Sequence, residues 1–465
     1  MILKKPALYT DLYELTMAQG YFLSERHQQH ANFDYFFRSL PFNGGYVVFA
    51  GLSDLLEIIE NFQFHNDELA YLKEQGFKDS FLNYLKDFSF KGSIFSVKEG
   101  EVVFPNEPTL RVEGNILETQ IVESVLLNTL NFASLIATKA ARIKQVAGDK
   151  PVLDFGLRRS QGLGGLQASK SAMIGGVEGS SNVLAGQLYD IPVSGTMAHS
   201  WVQSFEDELS AFRTYAEHYP DSTILLVDTY NTIKSGIPNA IKVAKELEEK
   251  GHKLKAIRLD SGDLAYLARK SRHMLDNAGL DYVQIAASNQ LDEYVIKSIL
   301  DQNAPIDLFG VGTKLVTAYD EPALDGVYKL SSINDKPTLK ISENVEKITL
   351  PDVKQLTRFF NSDGSFNCDG IYLHGEDTPK TVYHPFITHK STDVSELQSE
   401  QLLHKMVENG KITIDPPSIK ESADYAKKRL SKLNDEHKRF DNPHVYKVGV
   451  SKKLRELKDQ LVQNN

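Results

Sequence analysis

The chain's 465 residues exceed what one ordinary compact domain holds, and its 41% apolar content can fill a sizeable core, so two or three domains are expected. Lys and Arg number 52 against 62 Asp and Glu, a formal charge of −10, whereas proteins that coat nucleic acid or anionic membranes carry a basic excess. Cys368 is the only cysteine, which excludes an intrachain disulfide framework and a Cys-based zinc cluster and suits a reducing compartment.

The opening residues, Met1 to Pro6, show no apolar core of signal-peptide length. The longest apolar stretches, 46–52 and 224–227, are strand-sized and far short of a membrane span, so a soluble cytoplasmic protein is expected. Thr10 is placed to cap a helix through Leu12, Leu15, Thr16 and Ala18. Segments 31–37 and 46–50 are rich in Phe, Tyr and Val and predict strands, and 92–113 predicts short antiparallel ones. From Ile116 to Ala147 apolar residues such as Leu117, Ile121, Val125, Leu126 and Leu130 recur at mostly four-residue spacing, the mark of a long helix.

Between about 150 and 330 the pattern changes to regular alternation. Strands are predicted from Ile224, from Lys255, over 282–287 and from Ile306. Helices are predicted around 240–250, 264–277 and 291–300, the first two closed by Gly251 and Gly279. Such alternation implies a parallel sheet, open or closed into a barrel, with chemistry at the carboxyl ends of its strands. Those ends hold Asp228, Arg258 with Asp260 and Asp263, Ser288 with Asn289, and Gly310 to Thr313. Beyond about 335 a Lys-dotted, strand-like segment near 337–360 and a polar helix around 419–439 predict an appended subdomain wrapping back over the sheet. The expected domains are therefore 1–115, 116–335 and 336–465.

Four segments carry candidate chemistry, and each has a structural alternative. Gly310-Val-Gly-Thr313 follows a strand directly, so its backbone N–H groups could cradle a phosphate, or it is an ordinary turn using glycine for positive φ. It is not a Walker A loop. Arg258-Leu-Asp-Ser-Gly-Asp263 places Arg258 and Asp260 on one side of a strand, where they could bind a carboxylate or phosphate, ribose hydroxyls or Mg²⁺, or simply pair with each other. Gly195-Thr-Met-Ala-His199 presents one histidine, a candidate acid, base or phosphoryl acceptor, or a structural side chain. Asp154-Phe-Gly-Leu-Arg-Arg159 sets an aromatic ring and two guanidiniums beside glycine, which could clamp a flat anionic ring or divide into core and surface. No GxSxG elbow and no cluster with metal-ligand spacing is present.

Together with Tyr9 to Met17, Phe36-Phe-Arg38, Gly175 to Val183 and Val227 to Thr232, these segments resemble, in order, the nicotinate phosphoribosyltransferase family. The resemblance implies an α/β fold: an irregular TIM-like α/β barrel with an additional α/β domain built from both chain ends, forming a homodimer with sites at the subunit interface. It implies ATP-coupled synthesis of nicotinate mononucleotide and diphosphate from nicotinate and 5-phosphoribosyl 1-diphosphate, with Mg²⁺, on the route to NAD. Carried residue by residue, it makes His199 the phosphohistidine and stacks Phe155 on the pyridine ring opposite Tyr13 of the partner subunit. Arg258 and Arg158 would recognise the nicotinate carboxylate or a neighbouring phosphate, and Asp228 and Asp260 would serve Mg²⁺, ribose or His199. Gly310, Gly312, Thr313 and Asn289 would bind the 5-phosphate, with Arg38, Lys139 and Arg142 as further phosphate contacts. Ser180 and Ser181 stand where nicotinamide-using relatives place an Asp; its absence favours an anionic base. The rival readings are the same fold acting on nicotinamide or quinolinate, a phosphate-binding barrel isomerase or lyase, and a non-catalytic nucleotide-binding protein.

Overall fold

The computed structural model describes residues 5–344, 347–387 and 389–464; Met1 to Lys4, part of the stretch read for a leader, lies outside them. The chain divides into two units, one formed by its two ends, up to Thr138 and from Ala323 onward, the other by Lys139–Pro322.

The middle unit is the alternating one. Its six strands run parallel in the order Gly179–Ser180, Val152–Asp154, Leu308–Val311, Gln284–Ser288, Ala256–Leu259, Ile224–Leu226. Ile224–Leu226 is buried throughout, as expected of a strand covered on both faces. The helices begin and end where local chemistry dictates. Leu264–Asn277 is capped by the Asp263 carboxylate, which accepts from Tyr266 N, buries Leu264, Ala265, Ala268, Ser271 and Leu275, and is followed by Gly279 at φ +69°. The helix expected from Leu291 starts at Glu293, because Asp292 is its cap. Leu153, Phe155, Ile224, Arg258, Ala286 and Gly310, drawn from across the sheet, line one small cavity, which a flat sheet cannot achieve; this sheet is curled. Among the described residues its edge strands do not pair with each other.

The other unit carries a seven-stranded sheet that interleaves the two chain ends. His30–Phe37 pairs antiparallel with Gly326–Ile333 on one side and Leu110–Asn115 on the other, and His404–Glu408 pairs with Ser93–Ser96. The tail thus completes the N-terminal sheet. A second, six-stranded sheet is centred on Lys354–Phe360 and Phe366–Leu373. Beneath it lies a buried ionic network. Arg358 reaches Asp369 at 2.6 Å and Glu101 at 2.6 Å, and Arg429 meets Glu101 at 2.8 Å.

Three expectations are corrected in detail. The first helix, Leu12–Leu23, is preceded by Asp11 rather than Thr10 at the cap position. The long helix is two, Ile116–Ile121 and Glu123–Ala147, parted by a turn at Val122. The polar tail helix ends at Lys432, followed by a short Asp435–Lys438 turn. Among the described residues no helix is long and apolar enough to cross a membrane.

Candidate active site

Three carboxyl ends of the curled sheet, at Asp228, Arg258–Asp260 and Ser288, and the Gly195–Ala198 loop come together in one hydrogen-bonded set. Arg258 is its centre. Its Nε donates to Ser288 Oγ at 2.8 Å, Nη1 to Thr196 Oγ1 at 2.7 Å and Nη2 to Asp260 Oδ1 at 2.8 Å. Ser288 in turn donates to Asp260 Oδ1 at 2.5 Å. Burial alone would raise the Asp260 carboxyl, but the Ser288 hydroxyl, the Arg258 guanidinium and nearby His199 outweigh it and hold it below the usual carboxylate range. An ionised, oriented carboxylate results.

His199 opens the short helix His199–Gln203 directly after the Gly195–Ala198 loop. Its Nδ1 lies 3.1 Å from Thr229 Oγ1, its Nε2 3.6 Å from Asp260 Oδ2, and its ring is 40% exposed, so it is oriented yet reachable. Asp228 Oδ2 accepts from Asp260 N at 2.8 Å and Ser261 Oγ at 2.7 Å. Its Oδ1 is buried and meets no donor among the described residues. The loop after Asp228 continues into a π-helical turn, Thr232–Gly236, where Gly236 is required because a β-carbon there would strike Val227 O at 1.8 Å.

Phe155 forms the wall opposite. Its ring lies against Gly310 and 5.5 Å from the Arg258 guanidinium. Behind it, buried Asp154 accepts from Gly156 N, Ser169 Oγ and Ser180 Oγ, each at 2.8 Å. That contact separates two residues the sequence treated alike. Ser180 is wholly buried with its hydroxyl committed to Asp154, whereas Ser181 is half-buried and donates only its backbone N–H to Asp154 O. Arg158 sits exposed on the Leu157–Arg159 turn.

Asn289 and Gln290, after strand Gln284–Ser288, are exposed and left-handed at φ +88° and +50°, a conformation costing about 1–3 kcal/mol per residue unless the surroundings impose it. Ser288 stands opposite Gly310 in register, so this loop adjoins Gly312 and Thr313, which open the one-turn helix Thr313–Val316. Lys139 and Arg142 are not presented to solvent. Both are buried, with Glu293 held at 2.8 Å by Lys139 Nζ and at 2.8 Å by Arg142 Nε.

In the unit of the chain ends, Tyr13 is half-exposed on the first helix. Arg38 lines a separate cavity of about 1080 Å³ together with Phe36, Lys329, Lys354 and Lys390. The sequence reading missed this cavity, and also Thr196, Thr229 and Asp154 as organisers. Thr196, Thr229 and Asp154 lie inside the motifs above, which was the available signal; nothing in the sequence marks the cavity. Among the described residues no three His, Cys, Asp or Glu side chains gather as a metal site.

Three family models match the chain. They describe the nicotinate phosphoribosyltransferase N-terminal domain over residues 8–131, the family itself over 151–364 and the C-terminal domain over 353–458. A nicotinate phosphoribosyltransferase of Bacillus subtilis is 46% identical over 456 residues, covering 96% of this chain and 93% of its own. That of Dictyostelium discoideum is 38% identical, covering 96% and 86%. The crystal structure of human nicotinic acid phosphoribosyltransferase superposes with a TM-score of 0.87 at 32% identity, covering 97% of this chain and 99% of that one.

Proposed function

The chain belongs to the nicotinate phosphoribosyltransferase family of NAD biosynthesis, and we propose that the Arg258–Asp260–His199 cluster and the Phe155 wall are its working site. The observation that carries the assignment is the convergence of an aromatic ring, an oriented guanidinium and an ionised carboxylate at the ends of parallel strands.

Nicotinate lies with its ring on Phe155 and its carboxylate toward Arg258, whose three protein contacts fix the fork in place. Held so, the ring nitrogen attacks C1 of 5-phosphoribosyl 1-diphosphate. The C1–O bond breaks with its electron pair leaving on diphosphate, through an oxocarbenium-like state that positioning and electrostatics stabilise. Asp260 faces the developing positive charge or the ribose hydroxyls. Asn289 and the Gly310–Thr313 turn hold the 5-phosphate. Half-exposed Ser181, rather than Ser180, faces the base; a carboxylate there would repel nicotinate.

Mg²⁺ fits this donor set as an ion that keeps most of its ligands from water and substrate phosphate. The partnerless Asp228 Oδ1 and the Asp260 Oδ2 edge are single carboxylate oxygens, not a closed cage. When bound with diphosphate it would neutralise the leaving group. His199, oriented by Thr229 and still exposed, takes the terminal phosphoryl of ATP, with the P–O bond to ADP breaking as P–N forms. The curled sheet is read as an irregular barrel. Tyr13 and the Arg38 cavity are read as contributions to the site of a second copy in a homodimer.

The test of the base is a product assay with 5-phosphoribosyl 1-diphosphate, Mg²⁺ and either nicotinate or nicotinamide, with and without ATP. Mononucleotide from nicotinate, raised by ATP, is expected. Product from nicotinamide alone would move the specificity to the amide.

A further inference from the structure

Two adjacent carboxylates at the head of helix Glu293–Asp301 are each held by a cation from elsewhere in the same unit. Glu293 is taken by Lys139 and Arg142. Asp292 is taken by Lys314, and its other oxygen accepts from Val295 N at 2.7 Å as the helix cap. The second pair joins two loops that the strand register already sets side by side. Asp292 closes the Asn289–Leu291 loop after strand Gln284–Ser288, while Lys314 follows the Gly310–Thr313 turn after strand Leu308–Val311. Asp292 is 4% and Lys314 19% exposed, and the Lys314 ammonium also lies 5.2 Å from the Tyr319 ring centroid. Such a pair is screened far less than one on the surface.

Each loop needs an outside constraint. Asn289 and Gln290 are consecutive left-handed non-glycine residues, which relax to ordinary backbone unless both ends of their loop are fixed. Ser288, hydrogen-bonded to Arg258 and Asp260, fixes the entrance. The Asp292 pair fixes the exit. Lys314 sits in a helix of one turn, too short to hold its own place.

We propose that the Asp292–Lys314 ion pair is a positioning device for the sugar-phosphate substrate, locking the Asn289 loop against the Gly310–Thr313 turn so that both face one phosphate. This rests on the reading of those two loops as the 5-phosphate site. Lys314 acts through the loops and does not itself meet the phosphate, since its ammonium is turned to Asp292 and Tyr319.

Steady-state kinetics of Lys314→Met, Asp292→Asn, the double variant and Lys314→Arg test it, beside Asn289→Ala, Thr313→Ala and thermal midpoints. Each member of the pair, once removed, should raise KM for 5-phosphoribosyl 1-diphosphate about tenfold or more, as loop misplacement does, with KM for nicotinate little changed. The double variant should be no worse than either single, and Lys314→Arg should recover most of the loss. A loss with Lys314→Met but not with Asp292→Asn would make Lys314 a direct phosphate ligand and overturn the proposal. A lowered midpoint with unchanged KM values would reduce the pair to a structural one and overturn it equally. If Asn289→Ala and Thr313→Ala leave that KM unchanged, the phosphate is held elsewhere, and it is the site reading that fails, taking the device with it.

Discussion

A β-carbon at Gly310 would sit 2.4 Å from Cδ2 of Phe155, so the glycine exists to admit that ring. Gly310→Ala must push the ring off its seat or shift strand Leu308–Val311. Overpacking of this kind destabilises by about 1–3 kcal/mol, and here the displaced group is the ring proposed as the platform for the base. A rise in KM for nicotinate of about tenfold is expected, with KM for the sugar phosphate less affected. Paired saturation curves check it. An unchanged KM for nicotinate would mean that the ring is only core.

His199→Ala should abolish ATP hydrolysis and the stimulation of synthesis by ATP while leaving some ATP-independent product. Arg258, Ser288 and Asp260 keep their hydrogen bonds without the imidazole, since they hold one another. Rates with and without ATP decide the matter; full stimulation of the variant would remove the phosphohistidine assignment.

The two serines separate cleanly. Ser181→Asp places a carboxylate on the open side and should weaken nicotinate while admitting nicotinamide. Ser180→Asp forces a second carboxylate against buried Asp154, 2.8 Å from the present hydroxyl, and should destabilise the protein rather than change its preference. Product assays on both bases, with thermal midpoints, distinguish these outcomes.

A pH dependence follows from Glu14 in the first helix. Burial, reinforced by Glu123, raises its carboxyl from 4.5 to about 7, although the Gln120 amide and the Tyr13 phenol pull the other way. The folded protein therefore binds this proton more tightly than the unfolded chain. The stability it contributes is complete below about 4.5 and is lost as pH rises through about 7. Glu14→Gln should flatten the fall of thermal midpoint across that window, a change that melting curves at successive pH values record. An unaltered slope would place the titration elsewhere.

Arg358→Met should be strongly destabilising, by about 3–5 kcal/mol, because it leaves the buried Asp369 carboxylate with the Tyr446 hydroxyl but without its cation, and Glu101 with Arg429 as its remaining cation. Denaturant unfolding measures it. A loss below about 1 kcal/mol would mean that the network adds little once its burial is counted.

Much of the middle unit was legible in the sequence, since capping aspartates and closing glycines bound helices such as Leu264–Asn277, and strands such as Ile224–Leu226 are short apolar runs. The strand-end residues followed from the parallel topology. What remained hidden depends on packing between distant segments. Gly310 was open to a reading based on positive φ, but its φ is ordinary and the reason is Phe155. Ser180 and Ser181 could not be sorted, because a two-residue strand shows no alternation and Asp154 lies 26 positions away. The resemblance offered Lys139 and Arg142 as phosphate contacts, and no sequence signal shows their burial against Glu293. That the two chain ends share a domain was expected from the family resemblance, but the pairing of His404–Glu408 on Ser93–Ser96 spans too much chain for any local signal.

Phosphoribosyl transfer at the Arg258–Asp260 cluster makes the kcat/KM of Asp260→Asn decisive, for mononucleotide formation from nicotinate and 5-phosphoribosyl 1-diphosphate beside the unaltered protein. The substitution keeps the shape and removes the charge, so a loss of about a hundredfold or more with an unchanged fold is expected, the scale on which a preorganised electrostatic group acts. A variant within about twofold of the unaltered rate would contradict the account, because no group worth so little on that scale could lie at the reacting centre.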